Sequence, residues 1–359
     1  MINYGVLLNN LRSDFARQAV MNGNFDIWQR GTSLVIGATD TGFLADRWRV
    51  FQYADGGTLP TITHSRQILT SGDIPNAFYH YRINCNGAGT SLGVNSYGQV
   101  TNYIENGTRY LCGLGKKVTV SFWARSSIAN KKLGVYLIQN YGTGGSPTSS
   151  EIINGYNLTL TSTWTKYSYT FTTNTLVGKT FGTTNDDYLR VAFMYQWGSS
   201  LGVRVGSTGA GETYVGSGSI DIAQVQLNAG SVALPFYPKT FDQEYDACQR
   251  YYQKSFNYAT APSNSAAYAG ADAKVTDRTG SYQGITVTFP KKMRATPTTI
   301  QPYSLYIATA NRIVDVNNSA NAYACYVTGS DERGCIIESS SSIPSQMLIG
   351  VHWTADAEI

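Results

Sequence analysis

Most of this chain alternates between apolar and polar positions. Val118, Val120, Phe122 and Ala124 take turns with Thr119, Ser121, Trp123 and Arg125, and Tyr167, Tyr169 and Phe171 take turns with Lys166, Ser168 and Thr170. The same period of two runs through Leu133, Val135 and Leu137, through Leu189, Val191 and Phe193, and through Ile220 and Ile222. It places successive side chains on opposite sides of an extended strand, so these runs predict half-buried strands. Turn-rich intervals at Asn140 to Ser150 and Ser199 to Gly218 separate them. Many such strands joined by long polar loops predict a two-sheet sandwich whose loops and one concave face are left for ligands. No fixed-period repeat is present, which excludes a β-helix or propeller.

Two segments follow a helical period instead. Phe241, Tyr245, Cys248 and Tyr252 recur at i, i+4, i+7 and i+11, Thr240 and Gln243 have capping-box spacing, and Pro238 keeps the preceding chain extended. Near the start, Leu8, Leu11, Phe15 and Ala19 share one helical face within residues 7–21, with Gly23 as the stop. So short a helix must pack on something, either across the sandwich or against copies of itself in a short bundle. Beyond the second helix, Ile285, Val287 and Phe289 alternate, and further strands are expected near Ser304 to Ala308, Ala322 to Val327 and Met347 to Trp353. The expected architecture is all-β: a β-sandwich and a smaller C-terminal β domain, joined by a short amphipathic helix and preceded by a short N-terminal helix. Its boundaries are 1–21, 22–239, 240–254 and 255–359.

Composition agrees with that pattern. Charged residues are 14% of the chain, against roughly 25% in an ordinary soluble domain. A net charge of +4, no long Lys/Arg run and no aromatic-basic RNA motif argue against nucleic acid. The apolar run Val6 to Leu8 is too short for a signal or a membrane span, so synthesis in a cytosol and no membrane insertion are expected. The five cysteines lack metal-knuckle spacing and read as buried thiols, with Cys325 and Cys335 placed to face each other across a hairpin.

Catalytic patterns are weak. The acid pair Asp186-Asp187 sits in a turn-like stretch, and Gly89 to Gly93 matches GxSxG without the strand-turn-helix context that the motif needs. His64, His80 and His352 are isolated, so neither metal hydrolysis nor a His-based triad is indicated. What stands out is the aromatic content, with 26 Tyr. Tyr and Trp rings pack against the C–H faces of sugars, while Asn, Gln, Asp and Thr pair with sugar hydroxyls. Tyr141, Tyr195, Trp197 and Tyr214 lie in or beside the long loops of the larger domain, and Tyr303, Tyr306, Tyr323 and Tyr326 are their counterparts in the smaller one. These eight are the candidate glycan-binding residues.

Several motifs carry a resemblance. NGNFDIWQRGTS (Asn22 to Ser33), TSTWTKYSYTF (Thr161 to Phe171) and SGSIDIAQVQL (Ser217 to Leu227) resemble the frame of a carbohydrate-binding jelly roll of the family 4 and 9 type. NGNF, ADRW (Ala45 to Trp48), CQRYY (Cys248 to Tyr252) and FPKKMRATP (Phe289 to Pro297) together resemble bacteriophage tail-fibre and virion fibre proteins. The resemblance implies a non-enzymatic structural protein of the phage particle. It would be assembled in the host cytoplasm, trimeric, attached to other virion proteins through its N-terminal segment, and would bind host-surface polysaccharide. No cofactor is required, although the jelly-roll family implies a structural calcium on Asp26 and Asp221, with Asn24 adding an oxygen. The alternatives are a collar, base or decoration protein that makes protein contacts only and, less favoured, a polysaccharide depolymerase.

Overall fold

A computed structural model describes residues 14–37, 39–87, 92–212, 217–280 and 282–359. Most of the expected N-terminal helix, the GxSxG match at Gly89 to Ser91 and Tyr214 lie outside the described residues; Asp14–Arg17 is helical. The chain divides into two compact units. One takes in the chain up to Asp26 together with Thr32–Thr240, and the other takes Ile27–Gly31 and Phe241–Glu358.

The first unit contains twelve strands: β1 (Ser33–Ile36), β2 (Asp40–Phe43), β3 (Trp48–Tyr53), β4 (Ile62–Ile68), β5 (Tyr79–Asn86), β6 (Tyr97–Glu105), β7 (Lys117–Ser126), β8 (Lys132–Asn140), β9 (Glu151–Thr159), β10 (Thr165–Thr172), β11 (Tyr188–Trp197) and β12 (Ser217–Ala229). They form two six-stranded sheets, ordered β1-β4-β5-β12-β7-β10 and β2-β3-β6-β11-β8-β9, and every pairing is antiparallel. Successive strands pass repeatedly from one sheet to the other, which gives the jelly-roll sandwich.

Its core lies between the sheets. Trp48 of β3 and Phe193 of β11 have ring centres 6.1 Å apart, and Phe193 meets Phe122 of β7, in the other sheet, edge-on at 4.9 Å. Trp48, Phe193 and the residues two along from them therefore point inward, and the intervening residues form the outer faces. The NGNF and ADRW motifs meet at one place in this frame. The Trp48 indole donates to the Asn22 carbonyl at 3.0 Å, and the Asn22 amide donates to the Asp46 carbonyl at 3.0 Å. Gly23 is pressed so closely on β12 that a Cβ there would sit 2.0 Å from the Val225 carbonyl oxygen.

The second, smaller unit is built on one antiparallel sheet. Its strands are β13 (Tyr252–Lys254), β14 (Asp272–Val275), β15 (Gly284–Thr288), β16 (Thr299–Tyr303), β17 (Arg312–Asp315), β18 (Asn318–Thr328), β19 (Gly334–Ser339) and β20 (Leu348–Asp356). They run in the order β13-β20-β17-β18-β19-β15, with β14 and β16 also on β20. Ile285, Val287, Phe289, Ile313, Ile337 and Trp353 pack in its core. The segment Ile27–Gly31 is tied into this unit: the Lys254 ammonium donates to the Gln29 carbonyl at 2.7 Å, and Arg30 pairs with Asp356 at 2.9 Å while lying over the Tyr252 ring.

Here the structure corrects three expectations. The helix is Phe241–Gln249, and Tyr252 belongs to β13 rather than to its apolar face. The stretch near Ser304 to Ala308 turns between β16 and β17 instead of forming a strand. Cys325 is paired with Ser339 and Cys335 with Val287, so register keeps the two thiols apart, and all five cysteines are free. No described helix is long and apolar enough to cross a membrane.

Candidate functional site: an aromatic and arginine face on the second sheet

Strand register assembles this site. On β3 the outward positions are Arg49, Phe51 and Tyr53, paired with Thr101, Gln99 and Tyr97 of β6. Across β6 the pairing continues from Tyr103 to Arg190, from Thr101 to Ala192 and from Gln99 to Met194 of β11, and then from Ala192 to Tyr136 and from Arg190 to Ile138 of β8. Directly opposite residues of an antiparallel pair share a face. The outer side of this sheet thus carries a field of aromatic rings and guanidinium groups around small central residues.

The contacts within the field are specific. Tyr53 and Tyr97 have ring centres 5.8 Å apart, and Tyr103 meets Tyr188 edge-on at 4.8 Å. The Tyr136 hydroxyl donates to Gln99 Oε1 at 2.7 Å. Arg49 lies over Phe51 at 4.5 Å and Phe43 at 5.5 Å, and its Nε donates to Thr41 Oγ1 at 3.1 Å. Arg190 lies 5.8 Å over the Tyr103 ring and makes a long hydrogen bond of 3.4 Å to that hydroxyl, while its Nε is buried with no partner. Arg204 approaches Tyr136 from the neighbouring 3-10 segment at 6.0 Å.

The electrostatics keep Tyr97, Tyr188 and Arg190 in their ordinary charge states. Burial, followed by the nearby phenol of Tyr136, raises the Tyr97 pKa; burial, followed by Tyr103, raises that of Tyr188. Both hydroxyls stay protonated and can donate. Burial works against the Arg190 charge, but the phenols of Tyr136 and Tyr103 outweigh it and its pKa is raised. None of these three arginines has a carboxylate partner among the described residues.

The loop and strand tyrosines expected to bind sugar lie elsewhere. Tyr141 is fully buried, with its hydroxyl donating to Glu151 and its ring edge-on to Phe181 at 5.3 Å. Tyr195 is fully buried: it follows inward Phe193 by two positions, lies 5.7 Å from His64, and precedes a bulge in β11 between Met194 and Gln196 that changes the phase only beyond it. After that bulge Trp197 pairs with Tyr97 and so reaches the outer face, but the 3-10 segment Ser199–Val205 roofs it over through Leu201 and Val205. The roof can lie down because Gly134 has no side chain; a Cβ there would be 2.4 Å from Val205 Cγ1.

In the second unit, Tyr303 is half-buried against Phe256, and Tyr323 packs on the core with its hydroxyl 3.5 Å from Met347 Sδ. Tyr306 and Tyr326 are 42% and 38% exposed. Tyr323 and Tyr326 are an odd number of positions apart on β18 and fall on opposite faces, so these four do not form one patch.

The calcium expectation also fails on its donors. Both Asp221 oxygens accept from Arg82, at 2.7 and 2.8 Å, Arg125 adds a bond of 2.9 Å, and His80 Nε2 lies 3.4 Å away. A carboxylate already saturated by two guanidinium charges does not fit a divalent cation that wants six to eight oxygens. Asn24 turns its amide nitrogen, not its oxygen, toward Asp26 at 2.9 Å. Among the described residues, no group of three or more His, Cys, Asp or Glu is placed to hold a metal.

No protein-family model and no curated protein sequence matches the chain. Among solved structures, it is similar to the enzymatically active domain of bacteriophage CBA120 tailspike protein 4, at 14% identity over 60% of this chain and TM-score 0.30; it spans 22% of that protein's length. It is also similar to a CBM4 structure, at 16% identity over 59% of this chain and 99% of that one with TM-score 0.31. A third is the N-terminal cellulose-binding domain of Cellulomonas fimi β-1,4-glucanase C, at 14% identity over 55% and 99% with TM-score 0.29. All three scores are low, and the jelly-roll description rests on the strand order given above.

Proposed function

We propose that this protein is a non-enzymatic glycan-binding component of a bacteriophage fibre or spike, and that the outer face of β3, β6 and β11 is its saccharide surface. The observation that carries the reading is the register-built set of Tyr53, Tyr97 and Tyr188 with Arg49 and Arg190, exposed or half-exposed over a floor of buried Gln99, Thr101 and Tyr103. Rings on a rigid sheet offer flat apolar contact at little entropic cost, and the interspersed phenols and guanidinium groups supply hydrogen bonds to sugar hydroxyls.

The non-enzymatic part of the reading is supported by what this face holds. Glycoside hydrolysis uses two carboxyl groups about 5 to 9.5 Å apart across the bond. Glu105 stands at the end of β6 beside Tyr188, and the nearby Asp186 is engaged by the hydroxyls of Thr143 and Thr184. The fibre role, the trimer and the host receptor rest on the sequence motifs. A trimer would add weak single-site contacts through effective concentration.

Co-sedimentation of the full chain with host cells, and with polysaccharide extracted from their envelope, tests the reading. Retention that Tyr53→Ala with Tyr97→Ala weakens supports it. Release of reducing ends, or retention indifferent to those substitutions, overturns it.

A further inference from the structure

Resting on that reading, we infer that the saccharide bound by this face is acidic: a polysaccharide carrying uronic-acid carboxylates, held by Arg190, Arg49 and Arg204. Three arginines converge on one aromatic face from β3, β11 and the 3-10 segment, and none is neutralised by a carboxylate among the described residues. A binding surface for neutral sugar has no need of uncompensated charge, and placing like charges close together costs stability. Some arginines elsewhere do meet an acid: Arg82 and Arg125 share Asp221, Arg109 is bonded to Asp187 and Arg30 to Asp356.

Arg190 is the centre of the argument. Its guanidinium is partly buried against Tyr103, its one hydrogen bond is long, and its Nε is out of solvent with no acceptor. The Nη2 side of the guanidinium makes no bond among the described residues, and a carboxylate can accept from it with a charge assistance that a neutral sugar hydroxyl lacks. Arg49, across β6 from β11, stands two inter-strand spacings away and two residues along, about 12 Å by strand geometry, far enough to take a second charge on the same polymer chain.

Affinity electrophoresis of the full-length protein through gels containing polygalacturonate, alginate or hyaluronan, and through gels containing the carboxyl-reduced form of each, tests this. The expected result is retardation by at least one acid polymer that disappears on carboxyl reduction and weakens as salt rises. Arg190→Ala and Arg49→Ala should each lower the affinity at least about tenfold, with Arg190→Lys recovering only part. Arg66→Ala, which removes the same charge beside Tyr79 on the other sheet, should leave binding unchanged. Equal retardation by native and reduced polymers overturns the acidic assignment while leaving glycan binding standing. Binding of sulfated dextran alone overturns the carboxylate, and an equal loss in Arg66→Ala overturns the placement. No binding to any polymer, acid or reduced, overturns both this inference and the glycan reading.

Discussion

The two outer faces of the sandwich make the same kinds of side chain do different work. On the first sheet, Arg82 and Arg125 converge with His80 on the buried carboxylate of Asp221, and Arg125 lies over Trp164 at 4.6 Å. On the second sheet, Arg49 and Arg190 lie over aromatic rings just as closely, but no acid meets them. The first arrangement satisfies its buried carboxylate within the folded chain. The second leaves hydrogen-bonding capacity unspent. Composition cannot distinguish the two, because each contributes arginine and aromatics to the same totals; only the position of one aspartate does.

The comparison can be tested from its structural side first. Asp221→Asn should destabilise the first unit by about 2 to 3 kcal/mol, below the full cost of breaking a buried pair because Arg82 and Arg125 remain 29% and 31% exposed. Urea unfolding measures it, and glycan affinity should not change. The carboxyl of Asp221 is held far below the usual range: burial pushes its pKa up, but Arg82, His80 and Arg125 outweigh it. Its contribution is therefore present above about pH 4 and is lost as pH falls below that toward the lowered value.

A second pH effect comes from the interior between the faces. His64 is fully buried with neither ring nitrogen bonded, and burial lowers its pKa to about 3. The unfolded chain takes up this proton below about pH 6.5 and the folded chain does not, so stability falls by roughly 1.4 kcal/mol per unit as pH drops from 6.5 toward 3. His64→Leu should flatten that slope and leave the steepening below pH 4 that belongs to Asp221. If the variant's acid transition still starts near neutrality, the buried-neutral assignment is wrong.

On the other face, Tyr97→Ala should weaken glycan binding about fivefold, roughly 1 kcal/mol, while the melting temperature moves little. Isothermal titration and calorimetric melting separate the two effects. The smallest change is expected in the second unit, where the Tyr326 hydroxyl donates to Glu338 at 2.9 Å in an exposed pair. Tyr326→Phe should leave stability nearly unchanged and affinity unchanged. A clear loss of binding would instead move the receptor surface to that unit.

How much of this was legible beforehand depends on which residues are asked. The motifs that carried the resemblance prove to be frame: Asn22 and Trp48 hold each other, Gly23 seats the chain on β12, and Phe289 packs 5.2 Å from Trp353. Period two exposed the strands because burial enforces it. It did not expose the site, for a physical reason. Along β6, both Tyr97-Gln99-Thr101-Tyr103 and Gly98-Val100-Asn102-Ile104 are plausible inward sets, and only cross-strand partners choose between them. Of the loop aromatics expected to contact sugar, Tyr141 is core. The available signal was Arg49 alternating with Phe51 and Tyr53, a charged residue in phase with two rings.

The bulge at Tyr195 has an evolutionary corollary. Because it reverses the phase of β11 just before Trp197, losing a single residue there would exchange what the strand's end shows to solvent and what it hides, and would lift the 3-10 roof off its seat. Relatives of this chain should therefore hardly vary in length at Tyr195.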